Sequence, residues 1–214
     1  MRLFTEQRLR GFLIFIMQTE TELSRKEQII QAAAKLFKER GFMAASMRDI
    51  AGELGIEAAS LYSHIKSKDE ILETICFQMA EKFLIAIDEV NDIYFNAEEK
   101  LIRIVKMHVS LLTSDLNASA VFLHEWRHLT DSKLKEFIKM RNQYEKGFRS
   151  IISLGVDENI FETVDEKFAV LTILSTLNWI TEWYKREGQM NSDEIADNLS
   201  NFILTGLRKK SIVD

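Results

Sequence analysis

The sequence predicts an all-α protein, because three of its features favour helices over strands. No proline occurs in the 214 residues, so the strongest helix breaker is absent. Apolar residues recur three and four positions apart almost from end to end, whereas few runs alternate between polar and apolar as strands do. The composition, 46% hydrophobic and 29% charged, is typical of a soluble globular protein with enough apolar side chains for a core.

The first seventeen residues combine scattered arginines with a short apolar run, GFLIFIM. This run is too short to cross a bilayer and lacks a small-x-small cleavage site, so we expect no membrane anchor and no signal peptide. Met17 opens a more ordinary start with a polar arm. We interpret residues 1–23 as an N-terminal extension, in which residues 1–16 are either absent from the native protein or form an accessory helix.

Residues 46–68 predict two short helices joined by a tight turn. Ser46 suits a helix N-cap and Gly55 permits the turn. The second helix is predicted to continue to Ile65, with Leu61 on its inner face. It begins with small side chains, which suits insertion into a major groove about 12 Å wide. The same shape also occurs as ordinary packing, so spacing alone leaves both interpretations open.

The distribution of charge agrees with a local DNA-binding surface. The whole chain has a net charge of −5, yet residues 24–68 hold eight Lys or Arg against five acids. The remainder of the chain is therefore acidic. A basic patch on one part of a protein is the electrostatic footprint of nucleic-acid binding, although an excess of this size can also arise by chance.

The order of these residues resembles a known signature. Ser-x-x-x-Ile-Ala, Leu-Gly-Ile and Ser-Leu-Tyr-x-His-Ile-Lys-x-Lys, in residues 46–68, resemble the N-terminal motif of the TetR family of bacterial transcriptional regulators. Residues 25–42 resemble the first helix of that family, and KDEILETICFQMAEKF resembles its fourth. The resemblance implies a three-helix DNA-binding domain at residues 24–69 and a helical effector-binding and dimerisation domain at residues 70–214.

The resemblance also implies roles for individual residues. It places Ser46, Tyr62, His64 and Lys68 on the DNA backbone, and Arg48, Ala58 and Ser60 against bases. One departure from the family pattern is Glu57, which stands where Ser or Thr often caps the second helix. Glu is a poor N-cap, and its charge can either repel phosphate or accept a hydrogen bond from a cytosine amino group.

Caps and apolar spacing divide the rest of the chain into helices. Five helices are predicted. The first begins at Asn96, with Glu99 completing a capping box, and the second covers residues 118–129. The others run from Asp131 to Gly155, from Thr163 or Asp165 to Gly188, and from Ser192 onward. The family resemblance implies that three of these helices enclose an effector and that the last two long ones pair with their copies in a homodimer. The helix through residues 71–83 is predicted to couple the two domains.

Two features suggest a ligand site. Arg141 falls on a predicted apolar stripe, so it needs either a carboxylate partner, such as Glu125 or Glu182, or an anionic group of a ligand. Trp179 and Trp183 are four residues apart on one helix face and either line a cavity or fill a core. The sequence alone does not choose between these alternatives.

A second resemblance concerns the ligand. EWRHL (125–129), RNQYE (141–145) and NWITEWYKREG (178–188) resemble the ligand domain of a TetR subgroup that senses acyl-coenzyme A thioesters. It implies that Arg127 or Arg141 meets the coenzyme phosphates, while aromatic side chains contact the acyl group. The predicted ligand-binding residues are His108, Arg127, Arg141, Tyr144, Trp179 and Trp183.

One motif suggests a different class of protein. His124-Glu125-x-x-His128 has the spacing that places two imidazoles on one helix face around zinc. His108 could complete a non-catalytic metal site, but no third-ligand motif of a zinc hydrolase follows. Cys76 lies on an apolar face, so core packing is expected rather than redox chemistry, and a cytoplasmic setting follows most simply. We expect no catalytic residue and no cofactor.

These observations predict a homodimeric regulator that binds double-stranded DNA at a palindromic operator and acts as a repressor. A small-molecule effector, an acyl-CoA thioester on the second resemblance, is predicted to release it. The alternatives are a sensor of hydrophobic drugs in the same family and the zinc hydrolase.

Overall fold

The structure is a computed structural model that describes residues 23–209, and within this range the regular elements are helices. The all-α prediction is confirmed. An isolated antiparallel bridge joins Phe161 to Arg208. The N-terminal extension up to residue 22, with Met17, lies outside the described residues. The helices are α1 Arg25–Arg40, α2 Met47–Glu53, α3 Ala58–Leu61, α4 Lys68–Asp92, α5 Ala97–Ser114, α6 Leu116–His124, a 3-10 helix Trp126–His128, α7 Asp131–Asp157, α8 Glu166–Asn178, α9 Ile180–Trp183 and α10 Ser192–Leu207.

Several helix starts follow the caps that the sequence predicts. Ser46 and Asn96 each form a capping box with the acidic residue three positions later, and Asp165 accepts from the backbone N–H of Phe168. These side chains satisfy N–H groups that have no partner inside the helix. Two predicted caps were wrong by one residue, because Thr130 and Asn191 occupy the N-cap positions.

Two predicted helices are shorter than their apolar patterns suggested. The segment 118–129 divides into α6 and the 3-10 helix, and the segment predicted to reach Gly188 ends at Asn178, with the short α9 following after Trp179. The apolar period continues through both breaks, which is why the sequence did not reveal them.

The described residues form two hydrophobic cores that share α4. The first half of α4 contributes Ile71, Leu72, Ile75 and Cys76 to a core with α1, α2 and α3. Its second half contributes Phe83, Ile87 and Val90 to a core with α5, α7, α8 and α10. Burial raises the pKa of the Cys76 thiol to about 12, so this cysteine is a core residue, as the sequence indicated.

The contact of α4 with α7 depends on a glycine. A Cβ atom added at Gly147 would overlap the Ile87 side chain, so the two helices approach more closely than a larger residue would allow. Among residues 23–209, no helix has the length and apolar character needed to cross a membrane.

Candidate DNA-binding surface and effector cavity

The helix-turn-helix occupies residues 47–61 and is shorter than predicted. Gly55 has φ 64° in the turn, and Glu57 is the N-cap of α3 but makes no side-chain cap hydrogen bond. The predicted helix to Ile65 was too long, since α3 ends at Leu61 and a turn follows, in which the Ile65 N–H donates to the Leu61 carbonyl at 3.0 Å. Leu61 and Ile65 are buried, as their spacing predicted.

Most of the predicted DNA-binding side chains are open to solvent. Tyr62 is 56% exposed, which is unusual for an aromatic side chain and leaves its hydroxyl available. Arg48, Ser60 and His64 are exposed, and Ala58 is half-buried at the start of α3. Their roles on DNA remain predictions.

Ser46 and Lys68 are already engaged within the protein. The Ser46 hydroxyl belongs to the capping box with Asp49. The Lys68 Nζ donates to the carbonyl oxygens of Phe42 and Ala45 at 2.7 and 2.8 Å, and lies 4.3 Å from the centroid of the Phe42 ring. An ammonium group has three donors, so one remains for a phosphate. Lys68 therefore also holds the segment between α1 and α2 in position.

The sequence did not single out Phe42, which is buried in the core of the N-terminal helices. Its backbone N–H donates to Glu125 Oε2 at 3.1 Å, and its ring stacks on His128 with centroids 5.6 Å apart. Together with Lys68, these residues form what we call the junction: Phe42, Lys68, Glu125 and His128. The junction joins the turn before α2 to the 3-10 helix.

A cavity of about 420 Å³ lies between α4, α5, α6, α7 and α8. This volume falls in the range of small-molecule sites in proteins. Part of its wall is apolar or aromatic, and polar groups of three helices interrupt it. The apolar part includes Phe83, Phe122, Trp126, Leu171 and Leu174, and the polar part includes His108, Arg141, Tyr144 and Asn178.

The cavity contains a buried hydrogen-bond chain. His108, 2% exposed, has its Nδ1 2.9 Å from the Tyr144 hydroxyl and its Nε2 3.2 Å from Asn178 Oδ1. Burial lowers the pKa of His108 to about 4 and raises that of the Tyr144 hydroxyl well above its ordinary value, so both are neutral near pH 7. The sequence predicted His108 and Tyr144 as ligand-binding residues but missed Asn178.

Two arginines stack on one cavity residue. The guanidinium carbons of Arg127 and Arg141 lie 4.4 and 4.5 Å from the Trp126 ring centroid. Burial, and then the nearby charge of Arg127, lower the pKa of Arg141 from its ordinary value. The predicted carboxylate partners are occupied elsewhere: Glu125 accepts from Phe42, and Glu182 lies 3.0 Å from His124 Nε2. Among the ion pairs within residues 23–209, none includes Arg127 or Arg141.

The two tryptophans do not line the cavity. Trp179 is 64% exposed and Trp183 is 42% exposed, and both lie beyond the end of α8 at Asn178. Their assignment as ligand-binding residues remains a prediction. Phe168 on α8 and Phe202 on α10, at 71% and 73%, are also exposed, so these helices present large apolar side chains at the surface.

The zinc motif is broken at its centre. α6 ends at His124, and Glu125 separates it from the 3-10 helix that carries His128. His124 contacts Glu182, whereas His128 stacks on Phe42, so the two imidazoles have different partners. No group of three or more potential metal ligands occurs within residues 23–209. The zinc-hydrolase alternative is therefore not favoured.

A helix-turn-helix joined by a shared helix to a cavity between helices defines the class of ligand-responsive DNA-binding regulators. The family described as "Bacterial regulatory proteins, tetR family" matches residues 29–75, and the family described as "Tetracyclin repressor-like, C-terminal domain" matches residues 95–207. The chain belongs to the TetR family of transcriptional regulators. The family resemblance of its N-terminal motif is confirmed.

Relatives of known function extend over nearly the whole chain. The repressor KstR2 of Mycolicibacterium smegmatis is 25% identical over 186 residues, covering 86% of this chain and 91% of that protein. The fatty acid metabolism regulator protein of Bacillus subtilis is 25% identical over 189 residues, covering 86% and 95%. AibR, solved in complex with isovaleryl coenzyme A and operator DNA, superimposes with a TM-score of 0.74 at 25% identity, covering 84% of this chain and 97% of that one.

Proposed function

We propose that this regulator is a homodimeric repressor that holds a palindromic operator and releases it when an acyl-CoA thioester enters the cavity. The observation that carries the effector class is a pair of exposed arginines stacked on the cavity residue Trp126, of which Arg141 also lines the cavity. Two relatives agree with this effector class, and a third agrees with repression. One is a complex with isovaleryl coenzyme A, one regulates fatty acid metabolism and one is a repressor.

The arginine pair suits an anionic ligand for an electrostatic reason. Two guanidinium groups on one indole ring repel each other, and neither is neutralised by a carboxylate ion pair within residues 23–209. Phosphate oxygens would remove this repulsion and accept several hydrogen bonds in a planar arrangement. The aromatic wall beside them, including Phe83 and Phe122, suits the apolar acyl group.

The exposed apolar residues support dimerisation through α8, α9 and α10. Phe168, Trp179, Trp183 and Phe202 would lose contact with water in a two-fold pairing of these helices. A dimer also explains how α3, the four-residue recognition helix, can read an operator. Two copies of α3 read two half-sites one helical turn apart.

The junction supports a route from the cavity to the DNA. Trp126 lines the cavity, and its neighbours Glu125 and His128 contact Phe42. Phe42 is also held by Lys68, at the start of α4. A ligand that moves the 3-10 helix would therefore shift the segment before α2. The operator affinity would change by the difference in ligand affinity between the two arrangements.

The effector assignment is tested with the arginines. We expect Arg141→Met to raise the dissociation constant for octanoyl-CoA by roughly 10-fold, because a hydrogen bond to a charged group is lost. Affinity for a duplex selected from random sequence should not change in the absence of ligand. Lys139→Met, an exposed position on the same helix, is the matched control and should leave both constants unaltered.

The choice of ligand separates this proposal from its rival. If no acyl-CoA of any chain length binds or releases the duplex, the coenzyme class is wrong. Release by a hydrophobic cation or an unesterified fatty acid instead would support a drug-sensing or free-acid-sensing regulator with the same fold.

The route through the junction is tested separately. Glu125→Ala removes the acceptor of the Phe42 N–H and should leave octanoyl-CoA binding intact while reducing release of the duplex several-fold. Glu81→Ala, at an exposed position of α4, is the control. Normal release by the Glu125 variant would show that coupling takes another path.

A further inference from the structure

The hydrogen-bond chain in the cavity has a direction. Asn178 meets His108 Nε2 through its Oδ1, an atom that can only accept, so Nε2 carries the imidazole proton. In the neutral ring Nδ1 is then unprotonated, and it accepts from the Tyr144 hydroxyl. Each donor in the chain therefore points from Tyr144 toward Asn178.

One residue in this series of hydrogen bonds still has N–H groups that can donate. Tyr144 uses its only proton on His108, and His108 uses both of its ring nitrogens. The Asn178 Nδ2 atom has two N–H groups, and no acceptor contacts them within the described part of the chain, residues 23–209. Asn178 is half-buried and lines the cavity. Its amide can therefore donate to a ligand.

The surroundings of this amide select the kind of ligand group. The Phe83 ring centroid lies 4.8 Å from that of His108 and 5.3 Å from that of Tyr144, so aromatic rings border the chain. In such a wall, an unpaired N–H costs more than it would in water, and a ligand atom that accepts from it is favoured. Because Asn178 offers donors, the matching ligand atom is an acceptor.

We infer that Asn178 is a specificity-determining residue that donates a hydrogen bond from Nδ2 to a carbonyl oxygen on the acyl part of the effector. This inference rests on the proposed acyl-CoA function. Two carbonyls fit the same chemistry, the thioester carbonyl itself and an oxo group further along the acyl chain. The His108–Tyr144 pair acts as a positioning unit, because it fixes the orientation of the Asn178 amide.

Three coenzyme A derivatives of equal chain length test the inference: octanoyl-CoA, 3-oxooctanoyl-CoA and the thioether S-octyl-CoA, which has no carbonyl. Dissociation constants are measured by calorimetry on the full-length protein and on Asn178→Leu. We expect the variant to bind carbonyl-bearing ligands roughly 3- to 10-fold more weakly, the worth of one hydrogen bond, and S-octyl-CoA within about twofold of wild type. Loss confined to 3-oxooctanoyl-CoA would identify the oxo group, and equal loss with octanoyl-CoA the thioester.

Two further variants separate donation from packing. Asn178→Asp keeps an oxygen that accepts from His108 Nε2 but has no N–H, so it should lose the preference for carbonyl ligands as Asn178→Leu does. Thr176→Val is the control on the same helix, since its hydroxyl is exposed and bonds only the Thr172 carbonyl, at 2.9 Å. Circular dichroism and thermal unfolding establish that each variant is folded.

The outcomes distinguish the two proposals. If wild type binds all three derivatives and Asn178→Leu weakens them equally, Asn178 is structural and only the present inference fails. If wild type binds none of them, the acyl-CoA function and the inference fall together.

Discussion

Polar side chains are exposed at the DNA-binding surface and buried in the cavity. Near the recognition helix, Tyr62 and its polar neighbours extend into water, and the charged side chains form ion pairs at the surface, such as Lys35 with Glu53 at 2.5 Å. In the cavity, His108 and Tyr144 are buried and neutral, and a hydrogen bond joins them.

This difference matches two kinds of recognition. A duplex presents a regular row of charges in water, so exposed and adjustable donors suffice to bind it, with an affinity that depends on salt. A small effector must be distinguished from close analogues, and a buried, oriented donor does this because an unpaired polar group is costly there. We expect charge substitutions to act mainly at the first site and hydrogen-bond substitutions mainly at the second.

The largest expected effect concerns the stability of the protein at acidic pH, which depends on His108 in the cavity. Because the folded His108 has a pKa of about 4 and an unfolded histidine about 6.5, the unfolded chain gains a proton first as the pH falls. The free energy of unfolding should therefore fall by about 3 kcal/mol between pH 7 and 4 on account of this residue. His108→Gln should remove that part of the decline in urea unfolding curves.

An internal control accompanies this measurement. Between pH 8 and 9 the imidazole is neutral in both folded and unfolded chains, so the wild type and His108→Gln should show the same slope there. A wild-type slope that matches the variant between pH 6.5 and 4 would mean that the cavity histidine is solvated.

Helix packing around the cavity is tested next. Gly147→Ala should lower the free energy of unfolding by about 2 kcal/mol, because its Cβ would overlap Ile87 where α4 crosses α7. Gly206→Ala is the matched control, since a Cβ there meets nothing within 4 Å and alanine favours the helix. The comparison fails if thermal unfolding ranks the two variants equally.

A substitution at Lys68 distinguishes contact with DNA phosphate from positioning of the segment before α2. Lys68→Ala should weaken binding to all duplexes by roughly 10-fold, because the lysine holds Phe42 and Ala45 and retains a donor for phosphate. If it contacts phosphate directly, the slope of log affinity against log salt should also drop by about one. An unchanged slope would limit Lys68 to positioning, and Lys139→Ala should alter neither quantity.

The smallest effect is expected at the start of α3. Glu57→Ser should stabilise the protein by about 0.5–1 kcal/mol, because serine can cap a helix that now has no side-chain cap. Removal of a negative charge next to the duplex should also strengthen DNA binding. Ala59→Ser, at the second residue of α3, is the control. It should raise neither the stability measured by thermal unfolding nor the DNA affinity measured by fluorescence anisotropy.

The sequence predicted those features that depend on near neighbours along the chain. Ser46 and Asn96 cap helices because their partners lie three residues away, and the burial of Leu61 follows from local spacing. Phe42 and Asn178 were missed because their roles arise only where distant helices meet. The exposure of Trp179 could not be predicted, because the apolar period continues through the break that follows Asn178.

The membership of α4 in both cores has a consequence for engineering. Ile71, Leu72 and Cys76 complete the core of the N-terminal helices, although they lie beyond the boundary at residue 69 that the sequence suggested. A chimera that transplants residues 24–69 alone onto another scaffold would lack the α4 side chains that complete this core. A functional graft should extend at least through Ala80, the last α4 residue of that core, and so transfer part of the sensing half together with the operator preference.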